Sequence, residues 1–419
     1  MTKIVVAGAG FGGIKVFNHL VSILNNYPEL EITLINDVNY FLFTPLLHEV
    51  ATGSLQPEDI TVPLPPMASH PRSRMLTGEV LKIIPSEKKL VTTRGQITYD
   101  YLVLGLGSET NFFNTPGAQE FAFSLKDLDD AARIKNRIIK QFEKAQCLKE
   151  AEAKRQALTF VVVGGGPTGV ELAGELADFC RTTFRKIYGP DLCRVSRIVV
   201  VQHDPSILAQ FSAGLRGSSL TALGQKRVEV LVNTGVTSVT STGVTLSTNE
   251  TLPTETVLWT AGVKPRTLES TDELSQEKGR LKVNSYLQLS GYSNVLVLGD
   301  LAYSFDPKTN SPLPMLAQVA DRQSKIVAKN ILNLINNQPL QVFNYKSQGS
   351  IVSLGSWFAV SEVMGFHLAG RVAWILWRGV YWAKMPTISK KLQIALGWLI
   401  NVFKPRDISL LPFTTHNIH

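Results

Sequence analysis

The sequence predicts an α/β protein built on two doubly wound, parallel-sheet units and closed by an amphipathic helical tail. Three observations predict it. The run KIVVAGAGFGGIKVFNHL (residues 3–20) passes from buried-strand character through a glycine turn into a helical pattern. TFVVVGGGPTGVELAGELADF (159–179) repeats that grammar, and five of the six tryptophans (Trp357, Trp374, Trp377, Trp382, Trp398) lie after residue 350.

The first glycine turn spells G-x-G-x-x-G at Gly8, Gly10 and Gly13, with Phe11 and Gly12 between. In this motif the first glycine makes a tight turn and the second lets the backbone approach a pyrophosphate. The third allows close helix–strand packing, and the phosphates rest on the positive helix end. Gly164, Gly166 and Gly169 spell the second copy, with Pro167 and Thr168 opening its helix. Two Rossmann-like dinucleotide-binding domains follow, flavin first and nicotinamide second. Hydride transfer between them requires nicotinamide C4 stacked on flavin N5, so the protein supplies mainly orientation and water exclusion.

YDYLVLGLGS (99–108) reads as a strand ending in a turn at Gly107, and NVLVLGDLA (294–302) as a buried strand ending in Gly299-Asp300. An aspartate at that position commonly accepts a hydrogen bond from a ribityl or ribose hydroxyl; the alternative is an Asp capping the next helix. The expected layout is a discontinuous FAD domain (1–115 and 265–345), an inserted NAD(P)H domain (116–264) and a C-terminal membrane-association region (346–419). Within it, a charge-rich segment near 135–155 reads as a solvated helix. The proline cluster at 61–74 and the stretch DPKTNSPLP (306–314) read as surface loops.

The three cysteines, Cys147, Cys180 and Cys193, form no C-x-x-C pair, which argues against a local dithiol or zinc ribbon and fits a reducing compartment. No metal site is expected. The chain opens directly into a strand without an export-type signal, and no apolar run reaches the ~18 residues of a spanning helix. The expected location is therefore the cytoplasm or the cytoplasmic face of the cell membrane, peripherally bound. Of the net charge of +8, residues 350–411 hold seven Lys or Arg against two acids.

GGGPTGVELAGEL (164–176), LWTAGVKP (258–265), VLVLGDLA (295–302) and PMLAQVADRQSKIVAKNI (314–331), in that order, resemble the type II NAD(P)H:quinone dehydrogenases, single-subunit FAD enzymes that do not pump protons. YFLFTPLLHEVATGSL (40–55) is similar to the family's segment beside the flavin, which implicates Thr44, Pro45 and Leu46. The resemblance places Ala317 and Gln318 beside the flavin and the quinone, and Gln323 as a second glutamine of the quinone motif. It places Gly262 with the nicotinamide and implies that Glu171, read as a first-turn residue, faces it. A first-turn acid favoured by the helix dipole is the plainer account of Glu171, and an ordinary helix-surface glutamine is that of Gln318.

Two positions depart from the family. Asn36 stands where an acid usually holds the FAD adenosine ribose, with Asp37 one residue on. Gln202 replaces the acid ending the second domain's matching strand, next to His203. A carboxylate there repels the extra phosphate of NADPH, so its loss leads to the expectation that NADPH is accepted as well as NADH. With no cysteine after Cys193, electrons are expected to pass straight from flavin to acceptor. No acid is assignable as a proton donor, which leaves water. The alternatives are a soluble FAD-dependent reductase of a small redox protein and a flavin-based redox sensor.

The tail admits three readings: an ordinary packed tail or homodimer interface, a base-stacking nucleic-acid site, and a monotopic anchor. AGRVAWILWRGVYWAKMP and KKLQIALGWLINVFKP look like two helices flanked by Lys or Arg and separated at Met385-Pro386-Thr387. That pattern suits an anionic lipid surface rather than nucleic acid.

Overall fold

The computed structural model describes residues 1–306 and 309–410. Pro307 and Lys308 of the expected loop, and 411–419 of the expected tail, lie outside the described residues. The described residues form two compact units: 1–42, 61–109 and 263–347, and 43–60, 110–262 and 348–410.

The first unit is organised by a six-stranded sheet in the order Gln288–Leu289, Tyr292–Val297, Tyr101–Leu104, Thr2–Ala7, Leu30–Asn36, Ser73–Thr77. All pairings are parallel except the edge pair Gln288–Leu289 with Tyr292–Val297. Ile4, Val5, Val6 and Ala7 are all buried, the continuous apolar character expected of a strand covered on both faces. Helix Gly13–Ser22 buries Ile14, Val16, Phe17 and Leu20 and packs against helix Ala317–Ile335. Its 3.6-residue spacing of apolar positions gives one face to the core.

The second unit carries a five-stranded parallel sheet in the order Ala122–Ser124, Thr256–Trp259, Thr159–Val163, Arg197–Val201, Val228–Leu231. In both sheets the strand feeding the glycine turn is central. Chain order reverses beside it, where α/β sheets open a ligand crevice.

Helix Leu128–Cys147 begins at Asp127, whose Oδ1 accepts from Asp130 N at 2.8 Å. It is not the solvated helix its charges suggest: Ile134, Ile138, Ile139 and Phe142 are fully buried, and Lys135 is buried with Nζ 3.6 Å from Asp407.

The tail is no separate region either. Residues 348–410 pack within the second unit, as does 43–60, and so Thr44, Pro45 and Leu46 lie there rather than in the first unit. Before its helices comes an antiparallel sheet absent from the sequence reading: Ser350–Ser353, Ala359–Val363, Phe366–Gly370. Helices Arg371–Lys384 and Ile388–Phe403 then follow, the second capped by Thr387, whose Oγ1 accepts from Lys390 N. Among the described residues no helix is long and apolar enough to cross a membrane.

Candidate active site

The two glycine turns are built alike. Gly8 and Gly164 hold φ of +96° and +110°, the left-handed region open to glycine. A Cβ on Gly13 would stand 1.9 Å from Gly8 O, and one on Gly169 1.9 Å from Gly164 O, so both helices start in contact with their own turns. At Gly10 and Gly166, by contrast, an added Cβ meets nothing within 4 Å. Each turn thus keeps open the spot where a pyrophosphate would approach, at a helix N-terminus. These residues fit FAD in the first unit and a nicotinamide dinucleotide in the second.

In the first unit, Asn36 Oδ1 accepts from Ala9 N at 2.8 Å, and Asp37 is held by Arg266 at 2.8 Å. Gly107 (φ +74°) ends the turn after Tyr101–Leu104, and Ser108 Oγ donates to Asp300 Oδ2 at 2.5 Å. A Cβ on Gly12 would meet Leu298 and Ala320, and one on Gly299 would meet Ala320. The unit therefore gathers Gly10–Gly13, Gly299-Asp300 and the first turn of helix Ala317–Ile335. Ala317 is exposed there and Gln318 half-buried.

Gln323 does not fit the quinone contact drawn from the resemblance. It is 0% exposed; its Oε1 accepts from Gly299 N at 2.6 Å and its Nε2 donates to Ser304 Oγ at 2.9 Å. Its amide is used up in fixing the turn that presents Asp300.

In the second unit, Gln202 Oε1 accepts from Gly165 N at 2.6 Å. Gly262 follows strand Thr256–Trp259 and lies against Phe113. Glu171 is not the first-turn acid expected: it lies in the second turn of helix Pro167–Phe179, only 6% exposed. Its Oε1 accepts from Ser353 N and Trp377 Nε1, each at 3.2 Å, and its Oε2 is 3.8 Å from His48 Nδ1.

Around Glu171 is a buried ionisable cluster that the sequence did not reveal. Arg406 Nη2 pairs with Glu175 Oε2 at 2.7 Å, Arg378 Nη2 lies 3.8 Å from Glu49 Oε1, and Trp398 Nε1 donates to Glu49 Oε2 at 2.8 Å. Arg378 lies over the rings of Trp374 and Trp398, with centroid distances of 4.4 and 4.2 Å. Burial pushes the Glu171 carboxyl up to about 8, ahead of the lowering by Ser353 and Trp377, and raises Glu49. Burial also lowers His48 to about 4. Glu175 is buried too, yet Arg406, Arg378 and Lys226 hold it below the usual range, with His48 adding to this only when protonated. Near neutral pH, Glu171 and His48 thus form an uncharged pair beside charged Glu175. The one legible signal was the i, i+4 spacing of Glu171 and Glu175 on a mostly apolar helix.

Residues 2–324 match the pyridine nucleotide-disulphide oxidoreductase family. The chain is 30% identical over 374 residues to the type II NADH:quinone oxidoreductase of Staphylococcus saprophyticus, spanning 88% of this chain and 92% of the relative. It is 29% identical over 473 residues to a probable mitochondrial NADH-ubiquinone oxidoreductase of Schizosaccharomyces pombe, spanning 97% and 83%. Its fold is similar to that of NDH2 from Plasmodium falciparum, solved in complex with NADH: TM-score 0.89, 21% identity, 97% of this chain and 99% of the other.

Proposed function

We propose that this chain, which belongs to the pyridine nucleotide-disulphide oxidoreductase family and within it to the type II NADH:quinone oxidoreductases, oxidises NADH through bound FAD and delivers two electrons to a quinone without pumping protons. The observation that carries this reading is the pair of matching glycine cradles, each left open at its middle glycine. FAD, when bound, supplies the redox chemistry of accepting a hydride equivalent and passing on two electrons.

The chain's own residues bind, orient and hold protons. Gly8–Gly13, Asn36, Gly299 and Asp300 hold the flavin nucleotide; Gly164–Gly169, Gln202 and Gly262 hold the nicotinamide nucleotide. In the first unit Gly107 would complete the flavin set, and the exposed first turn at Ala317 and Gln318 would meet the flavin and the quinone ring. Reducing a quinone to a quinol takes two protons, one more than a hydride carries, and water supplies it. In the second unit, burial keeps a proton on the Glu171 carboxyl at neutral pH.

The tail places the enzyme at an anionic lipid surface. Ile388, Leu392, Leu396 and Leu399 follow helical spacing and are 57–77% exposed, and Val372 and Ile375 are exposed on the preceding helix. Lys384, Lys390, Lys391 and Lys404 border these apolar residues.

The test is steady-state kinetics on the full chain. Protein with the visible absorbance of bound flavin should oxidise NADH in proportion to added short-chain quinone. Flavin-loaded protein that oxidises no NADH when quinone is added would overturn the reading.

A further inference from the structure

We infer that Asp204, brought to the strand end by Gln202, supplies the carboxylate that the strand end itself lacks, and so makes the second unit select the dinucleotide without a 2′-phosphate. The inference rests on the nicotinamide site of the preceding reading and reverses the expectation drawn from Gln202 alone.

The two units solve the same local problem with different endings. Each has an amide residue where its second central strand ends, and each amide oxygen accepts from the glycine turn: Asn36 from Ala9 N, Gln202 from Gly165 N. What the amide nitrogen does next differs. Asn36 Nδ2 donates to Val38 O at 2.9 Å, while the neighbouring Asp37 is neutralised by Arg266. Gln202 Nε2 instead donates to Asp204 Oδ2 at 2.9 Å. The longer side chain thus reaches a carboxylate two residues on and tethers it to the turn that receives the adenosine half of the ligand.

Asp204 is held, yet open to a ligand. Gln202 N donates to Leu231 O, Thr234 N to Gln202 O and Asn233 N to Asp204 O, at 2.8, 2.9 and 3.1 Å, so the backbone through the pair is fixed on both sides. The Asp204 side chain itself is 62% exposed. Among the described residues its ion-pair partner is His203, at 3.5 Å, and no lysine or arginine pairs with it. A ribose carrying a free 2′-hydroxyl can donate to this carboxylate. A 2′-phosphate would bring negative charge against it without the arginine that such a phosphate needs.

The test has a binding arm and a kinetic arm on flavin-loaded full chain, comparing wild type with Asp204→Asn and Gln202→Glu. Calorimetry with ADP-ribose and 2′-phospho-ADP-ribose reads the adenosine half directly; kcat/KM with NADH and NADPH reads turnover. Wild type should favour the unphosphorylated ligand in both. Asp204→Asn should bind the phosphorylated ligand about tenfold better and the plain one several-fold worse, the scale of one partly screened charge. Gln202→Glu, which sets a carboxylate at the strand end directly, should keep or sharpen the preference for NADH. Equal binding of both ligands by wild type, or an unchanged ratio in Asp204→Asn, overturns the inference. If neither nucleotide supports quinone reduction, the proposed activity fails while the binding arm still decides the role of Asp204.

Discussion

Arg406 places Nη2 2.7 Å from Glu175 Oε2, with both side chains under one-tenth exposed. Its Nη1 also donates to Thr52 O and Glu175 O, and Ser54 Oγ donates to the same carboxylate. A residue near the end of the described chain therefore neutralises a carboxylate buried in the nucleotide-binding half of its unit. Arg406→Met should destabilise the protein by about 3–5 kcal/mol, because Glu175 is left buried and unpaired. Adding Glu175→Gln should recover most of the loss in urea denaturation; no recovery would mean that Arg406 acts through packing alone.

The glycine turns predict substitutions that separate folding from binding. Gly10→Ala leaves the protein contacts intact, since its Cβ meets nothing, and should purify folded but lose the visible flavin spectrum. Gly166→Ala should keep the flavin and raise KM for NADH at least about tenfold, the loss of one good phosphate approach. Gly13→Ala, whose Cβ would stand 1.9 Å from Gly8 O, should damage folding itself. Flavin retention by Gly10→Ala at wild-type stoichiometry would contradict this assignment.

Gln323→Leu removes the acceptor for Gly299 N and the donor to Ser304, both buried. It should lower stability by about 1–3 kcal/mol and weaken flavin retention, while KM for a short-chain quinone stays put in the protein that remains loaded. A large rise in quinone KM with normal melting would restore the direct contact that the resemblance implied.

The glycine turns, their strands and the two tail helices were legible because each rests on local spacing: a turn between a β-branched run and a helix, or apolar positions at helical period. Gln323 was misread because its position within a motif says nothing about burial. Its amide is consumed by a turn 24 residues earlier in the chain. The partners of Glu171 and Glu175, Trp377 and Arg406, lie more than two hundred residues away in sequence, and no spacing rule joins them. The charges of helix Leu128–Cys147 suggested solvent, but Lys135 is buried on Asp407. Composition reports a residue's chemistry and leaves its neighbours to the fold.

The exposed face of the last helix gives a lipid prediction. Leu392→Glu with Leu396→Glu changes two mostly exposed side chains, 64% and 57% exposed, so folding and turnover with soluble quinone should persist. Partition onto vesicles containing anionic lipid should fall at least about 100-fold, since each leucine contributes about 1.5–3 kcal/mol on burial. Unchanged co-sedimentation with such vesicles would sink the membrane assignment of this face.

Glu171 and His48 predict opposite pH dependences. The Glu171 carboxyl is raised from 4.5 to about 8, so the folded protein keeps a proton that the unfolded chain has released, and stability falls as pH rises through that window. His48, lowered from 6.5 to about 4, works the other way: the unfolded chain binds the extra proton, and stability rises from pH 4 to 6.5. Above pH 6.5, therefore, only Glu171 of the two still acts. Between pH 6.5 and 8 the wild type should lose about 2 kcal/mol relative to Glu171→Gln, whose amide keeps an oxygen for Ser353 N and Trp377 Nε1 but cannot titrate. Urea midpoints at the two pH values, with equal flavin loading, measure the difference. Parallel profiles for wild type and Glu171→Gln would show that Glu171 carries no proton at neutral pH.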